Sequence, residues 1–203
     1  MFTYREVGSR LILLGPALLC AAVAAGAQNP FDVKQFSATV VTSGVSTKAG
    51  PAQGEMKIFR SGDKMRMNLP TAGYMIMDLA QHTNYMVVGG GMCMQMSTPP
   101  QQNPFAQAQD ATIERSSAGS DTVDGHPCKV ENVSVTSRGR TTKMKVWEAE
   151  DLRSFPVKVE MQTSQGLVTV LYKDVSFAEP QASLFVHPEN CRQMPTMPGA
   201  PPQ

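Results

Sequence analysis

Alternating apolar and polar residues, in roughly nine or ten short runs about 8 to 12 residues apart and separated by turn residues, predict a mainly β chain. The expected architecture is an antiparallel sheet of sandwich or barrel type. The clearest alternation lies in residues 56–96, which hold nine of the chain's 14 methionines. Met65 and Met67, Met75 and Met77, and Met92, Met94 and Met96 fall on alternate residues. In strands each set projects to one side, while Lys64, Arg66, Asn68, Asp78 and Gln95 project to the other. Methionine is flexible and polarisable, so such a face either packs a core or lines a cavity for an irregular apolar ligand.

The first strand is expected over Gln35–Thr42, where β-branched and apolar residues dominate. A second follows at Met56–Arg60, after a Gly/Ser/Thr/Lys stretch. Ser61-Gly62-Asp63 reads as a tight turn into Lys64–Leu69, with glycine supplying the left-handed backbone. Tyr74–Leu79, His82–Val88 and Met92–Ser97 complete a meander. Its short turns, Ala80-Gln81 and Gly89-Gly90-Gly91, favour antiparallel neighbours. Residues 98–125 differ, being rich in proline and glutamine, and read as a mobile loop or a short helix near Phe105–Ala111. Strands resume at Cys128–Thr136, Thr141–Trp147, Val157–Thr163 and Gly166–Phe177. Thr142, Met144 and Val146 share a face against Lys143, Lys145 and Trp147, and Val157, Val159 and Met161 oppose Lys158 and Glu160.

The chain's start has the three parts of a secretory signal. Arg5 and Arg10 are followed by an apolar run from Leu11 to Ala25 and by Ala25-Gly26-Ala27 before Gln28. The run is shorter than the roughly 18 to 20 residues of a spanning helix, and Gly15-Pro16 interrupts it. The expected organisation is a signal peptide over 1–27, one antiparallel β domain over 28–190 and a proline-rich disordered tail over 191–203. No integral membrane span is expected after cleavage. The chain carries 18 basic and 17 acidic residues, and the leader takes two of the former and one of the latter. A neutral remainder favours no nucleic acid. Of the cysteines beyond the leader, Cys128 and Cys191 each lie beside a proline-containing turn and are the expected disulfide, which leaves Cys93 free within Met92-Cys93-Met94.

Ordered segments along the chain resemble exported bacterial proteins of the LolA-like and LppX-like superfamily. They are Phe36–Val40, Lys57–Met67, Met75–Asp78, Thr122–Cys128, Val146–Ala149 with Asp151-Leu152, Phe155–Lys158 and Leu184–Pro188. The resemblance implies a strongly curved antiparallel half-barrel with one or two short helices. It also implies an apolar concave face that holds lipid or lipoprotein acyl chains, and no catalysis. The nearest look-alikes are exported domains of unknown function.

No nucleophile elbow, phosphate-cradling loop or zinc-protease motif is present, and Gly89-Gly90-Gly91 lacks the Lys and Ser/Thr of a P-loop. The expectation is therefore a non-enzyme without cofactor, in the bacterial periplasm or secreted. It would bind or carry an apolar ligand on Met65, Met67, Met75, Met77, Met94, Met96, Met144, Val159 and Met161. A first alternative is copper binding through Met92, Cys93, Met94 and His82, because soft sulfur ligands select Cu(I). A second is an envelope module that binds a protein and no small ligand.

Overall fold

The computed structural model describes residues 33–97 and 111–194, apart from 45, 48–49, 52–53, 71–72, 138 and 164–165. The expected signal peptide, residues 98–110 of the expected loop or short helix and residues 195–203 of the expected tail lie outside the described residues.

The strands in chain order are β1 (Gln35–Ser43), β2 (Ser46–Thr47), β3 (Gly50–Pro51), β4 (Gly54–Ser61), β5 (Lys64–Leu69), β6 (Gly73–Asp78) and β7 (Thr83–Val88). They continue as β8 (Met92–Ser97), β9 (Thr112–Val123), β10 (His126–Ser137), β11 (Arg140–Ala149), β12 (Phe155–Thr163), β13 (Gly166–Ser176) and β14 (Arg192–Gln193). β2 and β3 pair with each other, and the rest form one 12-stranded sheet in the order β14-β8-β7-β6-β5-β4-β1-β13-β12-β11-β10-β9. This is the mainly β, curved half-barrel that the sequence and its resemblance imply. The helical elements among the described residues are 3-10 turns at Gly89–Gly91, Glu150–Leu152 and Ala182–Phe185.

Two meanders, β4–β8 and β9–β13, are built from hairpins between sequence neighbours, and β1 joins them by pairing antiparallel with both β4 and β13. Its Thr39-Val40-Val41-Thr42 run suits a central strand flanked on both sides. Gly62 turns β4 into β5 at φ 58°, and its N–H donates to the Lys34 carbonyl at 2.8 Å. Gly73 is required for another reason: a Cβ there would lie 2.5 Å from the Val87 carbonyl oxygen on β7.

The expected loop over 98–125 is corrected in its second part, since residues 112–123 are the long edge strand β9. Asp124 and Gly125, both at positive φ, turn β9 into β10 with the two-residue chemistry of a tight hairpin. β9 is rich in serine, threonine and glycine and mostly exposed, so its apolar alternation is weak. The expected tail is corrected over its first residues: Cys191 is bonded to the sheet and Arg192–Gln193 pair parallel with β8.

Apolar side chains bury in three groups. Phe36, Ala38, Val40, Ile58 and Met65 pack with Phe155 and Val157 in the largest. Val133, Val146 and Val159 pack with Met144 and Met161, and Ile76, Tyr85, Val87 and Cys93 pack with Tyr74 and Cys191. Ile76 is 1% exposed, whereas Val186 is 66% exposed. Ile76→Ala is expected to lower unfolding stability by about 3 kcal/mol through lost burial and a cavity. Val186→Ala should stay within about 0.5 kcal/mol. Paired denaturant titrations of the two variants check this contrast.

Candidate functional site

Register along the sheet decides which side chains meet. Ile58, Met67, Met75, Met86 and Met94 are successive cross-strand partners from β4 to β8. Arg60, Met65, Met77, Asn84 and Met96 form the adjacent row. Six expected site residues, Met65, Met67, Met75, Met77, Met94 and Met96, therefore share one face of the first meander. Met65 is buried and the other five are half-buried. The sequence reading left out Met86, which sits between Met75 and Met94; its parity within His82–Val88 was the available signal.

The same face continues through β1 into the second meander. Ala38 partners Ile58, Val40 partners Tyr172, and Val170 partners Val159, which partners Val146. Met144 and Met161 are direct partners one row away. Met144, Val159 and Met161 thus gather with Val133 and Val146, several strands from the six methionines of the first meander. Between the two groups stand aromatic rings. Phe155 meets Phe36, Tyr172 and Phe177 edge-on, with centroids 5.1, 5.6 and 5.9 Å apart.

An ion cluster that the sequence reading missed lies on this face at its β9 end. Arg115 Nε is 2.9 Å from Glu131 Oε2, Arg115 Nη2 also pairs with Glu148, and Lys129 Nζ reaches Glu131 Oε1 at 2.7 Å. The side chains of Glu131 and Glu148 are 8% and 9% exposed, against 57% for Lys129. Contact with Glu131 pushes the Lys129 ammonium above the usual lysine range. Two cations against two carboxylates make the cluster formally neutral, which is what burial demands. Parity was the signal here also: Glu131 is in phase with Val133 and Val135, and Glu148 with Val146.

The opposite face of the first meander, the side to which the sequence assigns Lys64, Arg66, Asn68, Asp78 and Gln95, carries the chain's C-terminal segment. Arg66 Nη1 donates to the Leu184 carbonyl at 2.9 Å, and its guanidinium lies 3.7 Å over the Tyr74 ring. His187 stacks on Tyr85 with centroids 3.7 Å apart and planes 9° from parallel. Cys191 is bonded to Cys93, and the Met194 N–H donates to the Gln95 carbonyl at 2.9 Å.

The disulfide expected between Cys128 and Cys191 is therefore corrected to Cys93–Cys191, and Cys128 is a buried free thiol. The physical reason is the path of residues 182–194, which runs beside β8 and brings the Cα atoms of Cys191 and Cys93 to 4.5 Å. Cys128 lies instead on β10, with burial pushing its thiol above the usual range. The copper alternative loses its thiolate to this bond. Its other members also separate: Met92 partners Val88 at one end of the β7–β8 hairpin, while His82 precedes Thr83 at the other, and Cys93 points away from Met92 and Met94. Among the described residues no group of three or more His, Cys, Asp or Glu side chains is placed to hold a metal.

On the second meander's outer side Trp147 is buried beneath lysines, with Lys158 Nζ 4.0 Å and Lys145 Nζ 5.0 Å from its ring centroid. Its indole N–H donates to Asp121 Oδ2 at 2.9 Å. That bond, with the Thr122 backbone N–H, holds the Asp121 carboxyl below its usual range.

No protein-family model matches the chain, and no curated protein matches it. Solved structures similar to it include a LolA superfamily protein from Nitrosomonas europaea, at 10% identity over 77% of this chain and 91% of that one, with a TM-score of 0.42. The lipoprotein LppX of Mycobacterium tuberculosis is 10% identical over 72% of this chain and 89% of its own, with a TM-score of 0.41. MucB, solved in complex with MucA, is 18% identical over 80% of this chain but only 57% of its own, with a TM-score of 0.46. These likenesses carry no site or ligand to this chain. No helix among the described residues is long and apolar enough to cross a membrane.

Arg115→Leu would leave Glu131 and Glu148 facing each other without their shared cation. It is expected to cost about 3 kcal/mol in unfolding stability, the scale for breaking a buried pair, measured by denaturant titration at neutral pH. Buried Cys128 should react with iodoacetamide only after denaturation, which peptide mass spectrometry reads directly.

Proposed function

We propose that this protein is a non-catalytic periplasmic binder or carrier of an apolar chain, such as a lipid or a lipoprotein acyl group, held on the methionine-bearing face of its curved sheet. One observation carries the reading. Five methionines in two adjacent cross-strand rows, Met67, Met75, Met77, Met94 and Met96, stay half-buried, while the other face of the same strands is covered by the C-terminal segment. A sheet whose two sides are both closed has no room for a ligand; here one side is closed and the other keeps its flexible apolar side chains within reach of solvent. Unbranched thioether side chains adapt to acyl chains of differing length and saturation at small rotamer cost. The aromatic group of Phe36, Phe155, Tyr172 and Phe177 forms the floor beyond them, and the Arg115 cluster marks a polar end. No residue takes a catalytic role in this reading.

The test is native mass spectrometry of the protein purified from a bacterial periplasm, compared with a denatured sample and with the double variant Met67→Lys/Met75→Lys. A lipid-sized adduct that is lost on denaturation and absent from a folded double variant is the expected result. A bare mass, together with no uptake of a fluorescent fatty acid from solution, overturns the carrier reading. Two lysines among half-buried methionines should lower fatty-acid affinity at least about tenfold.

A further inference from the structure

The C-terminal segment is fastened to the sheet in an uneven way. Of its 3-10 turn Ala182–Phe185 only Phe185 is buried, Val186 and Met194 are exposed, and β14 contributes a two-residue pairing. The remaining fastenings are the Arg66 bond to the Leu184 carbonyl, the stacking of His187 on Tyr85, the Met194 N–H bond to the Gln95 carbonyl, and the Cys93–Cys191 bond between residues 98 positions apart. Little apolar area therefore holds residues 186–194 down, and the covalent bond is their main anchor. Beneath them lie the buried group of Ile76, Tyr85 and Val87, against which Cys191 packs, and the edge of β8 that β14 pairs with.

The two sulfurs are also unequal. Cys93 is 4% exposed within the sheet, whereas Cys191 is half-buried on the segment itself. Cys191 is the less buried partner and sits on the covering segment, so the Cys191 sulfur is the one assigned to attack by an incoming thiolate. His187 Nδ1–H, 4.0 Å from Cys191 Sγ, donates to the Pro188 carbonyl at 2.9 Å and so fixes the turn that presents Cys191.

We propose that residues 182–194 form a latch that thiol–disulfide exchange with a dithiol opens and closes. One thiolate of the dithiol attacks Cys191 Sγ and forms a mixed disulfide; the Cys191–Cys93 bond breaks, and Cys93 leaves as a thiolate that takes a proton from solvent. The dithiol's second thiolate then attacks its own sulfur in the mixed disulfide and releases Cys191. The dithiol becomes a disulfide and the protein gains two thiols. Oxidation by a disulfide reverses both steps. Opening uncovers the Ile76, Tyr85 and Val87 surface and the β8 edge, leaving the methionine face on the other side untouched.

The test is hydrogen exchange with mass spectrometry on the full chain, with and without dithiothreitol as the dithiol, and with Cys191→Ser in the absence of reductant. Reduction under native conditions is expected to free two thiols to alkylation. It should raise exchange about tenfold or more in residues 182–194 and β8, and leave β10 to β12 unchanged. Cys191→Ser should reproduce that pattern, which separates loss of the bond from any effect of the reagent. The proposal is overturned if the bond resists dithiothreitol until the protein denatures. It is equally overturned if the reduced protein keeps the segment protected, or if reduction unfolds the whole sheet, which would make the bond a structural staple.

Discussion

Register along a single continuous sheet is the constraint on which the rest of this structure depends. From β8, next to the short edge strand β14, to β9 at the other edge, each strand fixes the facing of the next, so a slip of one residue anywhere would turn a whole meander inside out. The glycine turns and the Asp124-Gly125 turn hold the hairpins in phase. Bulges at Ser37/Thr39, Lys129/Glu131 and Trp147/Glu148 shift the phase at defined places. Each bulge adds local twist and bend, which is how a sheet of this width curves and does not lie flat.

That constraint gives the two faces different fates. On one, methionines, a ring cluster and a neutral ion cluster follow each other from strand to strand. On the other, the chain's own C-terminal segment closes the first meander, while lysine stems and the turn around Leu152 cover the second. Arg115 also protects an edge. A charged side chain committed to the inner face of β9, together with Gly119 at φ 98°, makes that strand a poor template for uncontrolled pairing.

The hairpins of β4–β8 and β10–β13 were legible because alternation and turn chemistry are local, and the shared facing of Met65, Met67, Met75 and Met77 followed from the strand period alone. β9 was not legible: Ser116, Ser117, Gly119 and Ser120 carry no apolar phase, and an edge strand needs little. The Cys93–Cys191 pairing depends on where a segment with almost no periodicity crosses the sheet, which residues 98 positions apart do not announce. The Arg115 cluster lay between these cases. Its carboxylates are in phase with valines, but a single charged residue in an apolar row reads as noise until its partner on a neighbouring strand is known.

The central position of β1 also sets the order in which the molecule can be completed. Its partner on one side, β4, follows closely, but Val40 must wait for Tyr172 on the other. Until β13 has been delivered, a β-branched strand with unpaired backbone groups stands open, and the first meander has no neighbour to brace it. Long-range closure of this kind is slow and exposes the intermediate to aggregation. An emerging chain of this topology gains from being held unfolded, or shielded at that edge, until its last hundred residues have arrived.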